Sequence, residues 1–143
     1  MRQKRARSFV FIIILIAISA LILRSIIERV VKADLAQNEA NASTTLKLIS
    51  AALQNYAKDN RGAFPESISS LLQSNPSYLD KDYVADSPLN GYIYTYSKLA
   101  ADGYSCSAMP AKCNLSGKFT YSVSTGGVFS SEECSKKENE IAK

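Results

Sequence analysis

The sequence predicts an α+β protein, with one long N-terminal helix packed on a small antiparallel sheet of three to four strands. Three observations predict it. The first 60 residues contain no proline or glycine. Apolar side chains in the second half of that stretch recur at Leu35, Ala42, Ile49 and Tyr56, seven apart, with Leu46 and Leu53 interleaved. Beyond residue 90 the pattern changes to a period of two. A period of 3.5–3.6 puts side chains on one helix face, and a period of two puts them on one sheet face.

The helix meets two solvents. Residues 1–7, MRQKRAR, carry four basic side chains (Arg2, Lys4, Arg5, Arg7) and no acid. Residues 9–23 carry no charge. Phe9, Val10, Phe11, Ile12, Ile13, Ile14, Leu15, Ile16, Leu21, Ile22 and Leu23 are the expected membrane-anchor residues. Residues 8–27 number 20 with one charge, Arg24. At about 1.5 Å per residue they match the roughly 30 Å core of a bilayer. Arg24 can snorkel to the far interface. The basic cluster places the N-terminus in the cytoplasm and the head outside, in the periplasm or at the cell surface. The alternative is a cleavable signal peptide. Only Ala17-Ile18-Ser19, inside the apolar run, approaches a small-x-small cleavage site. A retained single-pass anchor is therefore expected over residues 8–27.

Residues 28–130 form the stem and head. The 42, 46, 49, 53, 56 stripe is helical, and Leu46, Ile49, Leu53 and Tyr56 are its expected packing residues. Asn38, Glu39, Asn41, Lys47, Gln54, Lys58 and Asp59 form a solvated face. Gly62 is the expected C′ residue, with Pro65 just beyond it. Pro65-Glu66 is expected to open a short helix bearing Ile68, Leu71 and Leu72. Residues 74–90 have the composition of a loop. Tyr92, Tyr94 and Tyr96 alternate with Ile93, Thr95 and Ser97. Residues 101–103 turn the chain into Tyr104, Cys106 and Ala108. Phe119, Tyr121 and Val123 alternate again, and Gly126-Gly127 is a two-residue hairpin signal. One face of this sheet is expected to cover the stem stripe. Residues 131–143 are polar and read as a frayed tail.

Charge and chemistry narrow the function. The net charge of +4 comes from the N-terminus, because residues 25–143 hold 12 basic and 13 acidic residues. Nothing in that balance marks a nucleic-acid surface. The chain has no His, the usual general base near neutral pH, and no GxSxG elbow, so no enzyme chemistry is expected. Without His or CxxC, a zinc site is not expected. Asp80, Asp82 and Asp86 read as a solvated loop, since the glycine and closing glutamate of a calcium loop are out of register. Asn41 and Asn114 begin Asn-x-Ser matches that matter only in a eukaryotic secretory pathway. The sheet tyrosines read as core and face residues rather than a sugar platform. Three cysteines pair in three ways, each leaving one over. The expected bridge is Cys106–Cys113, closing a short loop worth about 2.5 kcal/mol in the chain-entropy treatment. In the alternative arrangement Cys134 ties down the last strand.

Four segments carry a resemblance: NEANASTTLKLISAALQNYAKDNRGAFPESISSLL (38–72), DSPLNGYIYTYS (86–97), YSCSAMP (104–110) and SGKFTYSVSTGGV (116–128). Their order resembles the type IV pilin-like proteins, most of all the major pseudopilins of type II secretion. The resemblance implies a pilin-like fold and a structural role, with membrane lipid and other pilin-like subunits as partners along the N-terminal helix. It also implies calcium as a possible head-loop ligand, with no residues here that can be assigned to it. The processing junction departs from the family. It reads Ala6-Arg7-Ser8-Phe9 without glycine, and no acid occurs in residues 1–27. Two classes follow: a structural subunit of a secretion pseudopilus or pilus, or a tethered extracytoplasmic binding module that does not assemble.

Overall fold

The computed structural model describes the backbone of residues 2–134 and the side chains of residues 9–134. The chain forms two compact units, one up to Asp34 and one from Leu35. Helix α1 spans Arg2–Asp59, 58 residues in which no proline or glycine interrupts the hydrogen-bond ladder. In the first unit its apolar side chains from Phe9 to Val31 are each between 45% and 69% exposed.

The second unit is the α+β head. It contains the remainder of α1, then α2 (Ser69–Leu72), β1 (Tyr92–Ala100), β2 (Gly103–Pro110), β3 (Phe119–Ser124) and β4 (Val128–Glu133). The strands form one antiparallel sheet in the order β1-β2-β3-β4. Each strand therefore pairs with its neighbour in sequence, as short turns dictate. The alternation of Tyr92, Tyr94 and Tyr96 holds up to Ser97, where a bulge shifts the register so that Lys98 faces Ser105.

The core has three walls. Ala42, Leu46, Ile49 and Leu53 come from α1, and none of the four has accessible surface. Tyr92, Tyr94, Tyr104, Cys106, Ala108 and Val123 come from the inner sheet face. Ile68, Leu71, Leu79 and Tyr83 close the side. Tyr56 is half-buried, its ring edge-on to Tyr78 with centroids 5.6 Å apart. Ser50 is the buried polar exception on the helix. Its hydroxyl lies 2.7 Å from Tyr104 Oη, and Gln54 Nε2 donates to both oxygens. That satisfaction lets a serine sit in an apolar stripe.

Several local expectations need correction. Gly62 N–H donates to Ala57 O at 2.7 Å, the six-to-one bond of a Schellman cap. That bond places the C′ residue at Arg61, at φ 58°, with Gly62 one position further on at φ 89°. The short helix does not start at Pro65, which is buried. It starts at Ser69, with Ile68 as its cap residue, whose carbonyl accepts from Leu71 and Leu72 N–H. The β3–β4 connection has three residues rather than two, because Ser124 pairs with Val128. Thr125 belongs to the turn, where its Oγ1 accepts from Tyr104 N–H at 2.8 Å and lies 3.2 Å from Tyr104 O. Residues 131–133, read as tail, complete β4, and Cys134 N–H still bonds to Lys118 O. The remainder of the expected tail, 135–143, lies outside the described residues.

Candidate functional site

Two surfaces bear on function, one in each unit. The first is the exposed apolar length of α1. Every residue expected to anchor the chain, from Phe9 to Leu23, is exposed in the structure. Among the described residues, one helix is long and apolar enough to cross a membrane. Arg24, the one charge in residues 8–27, pairs with Glu28 one turn on at 3.2 Å, both side chains exposed. Such a pair is worth a few tenths of a kcal/mol. The side chains of Arg2, Lys4, Arg5 and Arg7, expected to set topology, lie outside the described residues.

The second surface is a junction in the head unit, where α1 meets the β2–β3 connection. Asn38 Nδ2 donates to Ser116 O at 3.1 Å, and Glu39 Oε1 accepts from Lys118 N–H at 2.8 Å. Sequence reasoning placed both residues on a solvated face. The helix periodicity puts both on the face of the apolar stripe, since 35, 39, 42, 46, 49, 53 and 56 form one series and 38 adjoins it, but their polarity hides them from a reading by hydropathy alone. The signal that could have found them is that register, because polar residues that continue a buried stripe need polar partners. The Asn90-Gly91 turn packs against the same junction, with φ values of 49° and 76° and paired bonds between Leu89 and Tyr92. A Cβ on Gly91 would lie 2.9 Å from Ser116 Cβ.

Gly117 presses on the end of the buried Tyr92 side chain, whose hydroxyl donates to Phe119 O at 2.9 Å. A methyl there overlaps the Tyr92 hydroxyl and ring, which the closed core holds in place. Gly117→Ala is expected to destabilise the head by about 2–3 kcal/mol. Adding Tyr92→Phe, which removes the nearest atom, should recover part of that loss. Thermal unfolding of both single variants and the double variant in detergent checks this, and strictly additive losses would disprove the overlap.

The cysteines correct the expected pairing. The disulfide is Cys113–Cys134, with Cα atoms 5.7 Å apart, and Cys106 is free. The reason is strand alternation: Cys106 shares the inner face with Tyr104 and Ala108 and is 1% exposed. Burial alone pushes its thiol up to about 12. Cys113 lies beyond β2 in the connection, next to the end of β4.

The acidic loop forms no shared centre. Asp82 Oδ1 accepts from Val84 and Ala85 N–H, Asp80 accepts from Tyr83 Oη, and Asp86 faces Lys81 at 3.6 Å. Among the described residues, no three His, Cys, Asp or Glu side chains are grouped to hold a metal ion. Burial, and then the bond to Asp80, push the Tyr83 hydroxyl up to about 12. Comparisons with protein-family models, with curated proteins and with solved structures find no significant match to this chain.

Proposed function

We propose that this chain is a non-enzymatic, membrane-anchored pilin-like subunit, acting in a secretion pseudopilus or a related surface filament. The observation that carries the reading is the division of labour along α1. One helix is apolar and exposed through Val31, then supplies a fully buried core stripe from Ala42 to Leu53. An ordinary core helix has no use for some twenty exposed apolar residues, whereas lipid covers them without cost. The basic residues 2–7 orient the chain with its N-terminus in the cytoplasm and its head outside. That compartment tolerates a disulfide such as Cys113–Cys134. The partners in this reading are membrane lipid and the anchor helices of other pilin-like subunits.

A second reading is favoured by one observation. The junction Ala6-Arg7-Ser8-Phe9 lacks the glycine at which family members are cut, and no acid lies in residues 1–27 to pair with a neighbour's amine. On that reading the head is a tethered module that does not assemble. Intact-mass measurement of the protein from its native membrane, with photo-crosslinking from position Leu21, separates the two. A subunit is expected to show anchor-to-anchor crosslinks and a shortened, methylated N-terminus. A mass starting at Met1, with no crosslinked pair, would overturn the filament reading and leave the tethered module.

A further inference from the structure

We propose that Cys113–Cys134 is the redox-controlled pin of a clasp that holds residues 35–42 of α1 on the head, and that a dithiol reductant opens the clasp without opening the core. The connection 111–118 is bonded to three separate parts of the head unit, the end of β4 among them by two links. Ala111 N–H bonds to Gly91 O at 2.9 Å, and Cys134 N–H bonds to Lys118 O at 2.8 Å. Ser116 O and Lys118 N–H hold Asn38 and Glu39. Those two bonds are, among the described residues, the side-chain hydrogen bonds that tie positions 35–42 of α1 to the sheet side. The disulfide fixes the far end of the connection to the end of β4.

Most of the clasp lies outside the hydrophobic core, which it touches through Gly117, buried against Tyr92, and through Ala42 at the end of the helix segment. No residue of 111–118, and neither Cys113 nor Cys134, belongs to the buried cluster that joins Leu46, Ile49 and Leu53 to the sheet. Cys113 and Cys134 are half-buried, within reach of a small dithiol, while Cys106 is fully buried and takes no part. A segment with few buried apolar contacts opens at lower free energy than the core it borders. Reduction exchanges the protein's S–S bond for two cysteine thiols, while the reductant's two thiols become its disulfide. The connection then keeps only its hydrogen bonds, and its grip on Asn38 and Glu39 weakens.

Thermodynamic linkage makes this testable in both directions, because the disulfide and the helix contacts must favour each other by one common factor. The full chain in detergent is equilibrated with graded dithiothreitol, and the fraction of alkylated Cys113 is read by mass spectrometry. The Asn38→Ala/Glu39→Ala variant is expected to be reduced about tenfold more readily than the native chain. Glu39→Gln, which keeps an acceptor oxygen for Lys118 N–H, should stay within threefold of native. Hydrogen exchange on the same samples should show residues 112–118 exchanging about tenfold faster on reduction, with residues 48–55 unchanged. An unshifted equilibrium in the double alanine variant would overturn the proposal by leaving the disulfide a staple of the sheet edge alone. Core amides that exchange together with the connection would overturn it by making the disulfide a global support.

Discussion

Leu53→Asp in the full chain is expected to abolish the folded head while leaving the apolar part of α1 helical. Leu53 has no accessible surface and is packed with Ile49, Leu46 and the sheet tyrosines. Truncating such a side chain costs about 2–5 kcal/mol through lost burial and the cavity left behind. The aspartate adds several kcal/mol more, because the core offers an ionised carboxylate no cationic partner. The sum reaches or exceeds the 5–15 kcal/mol that holds an ordinary domain together. Ile49→Asp should do the same. Leu48, one residue away and 45% exposed, is the control. Its aspartate variant should stay within about 0.5 kcal/mol of native, as surface substitutions do. Near-ultraviolet circular dichroism reports the outcome directly, since four of the eight tyrosines (Tyr83, Tyr92, Tyr94 and Tyr104) are buried in the head. A Leu53→Asp variant that keeps the native tyrosine signal and a cooperative thermal transition would place the helix–sheet interface elsewhere.

That interface is also the part of the fold most legible in the sequence. Helix continuity follows from the lack of proline and glycine, and the buried stripe at Leu46, Ile49 and Leu53 follows from its spacing. Three to four strands follow from alternation between turn residues, and the structure has four. What hydropathy could not convey is polar and local. Asn38 and Glu39 look solvated because their partners are backbone groups of a connection 78 and 79 residues away. The Asn90-Gly91 turn was hidden inside a run of loop residues, although that dipeptide is itself a strong hairpin signal. The expected Cys106–Cys113 pairing satisfies loop length but not side-chain direction. The same alternation that puts Tyr104 and Ala108 on the inner face also commits Cys106 to it, and a buried inward thiol cannot reach a residue beyond the strand end. Direction is the stronger constraint, because a disulfide demands Cβ atoms within about 4.5 Å, whereas loop entropy changes only slowly with length.

Alkaline unfolding is the second large effect expected of this head, and it follows from what the core is made of. Burial raises the hydroxyl pKa of Tyr92, Tyr94 and Tyr96, and raises the Cys106 thiol to about 12. For Tyr92 the charge of Glu39 adds to burial, and for Tyr96 that of Asp82 does. The neutral form of each group is the one the folded state favours. Stability is therefore fully present below the unfolded values, near 9 for the thiol and 10 for the tyrosines, and is lost as pH rises towards the folded values. Between those limits each group that ionises only in the unfolded chain removes about 1.4 kcal/mol per pH unit. Each group adds to the loss only up to its own folded value, and several of them together remove several kcal/mol above pH 10, a large part of the stability of an ordinary domain. The chain has no His, so no side chain of ordinary pKa titrates between the carboxylates and the thiol. Stability should accordingly be flat from about pH 6 to 8.5 and then fall steeply. Denaturant unfolding of the full chain in detergent at stepped pH, with tyrosinate absorbance as a second probe, tests both halves. Tyrosinate absorbance should rise with the loss of structure rather than before it. Tyrosines that titrate near pH 10 in a head still folded would show that the inner sheet face is open to water.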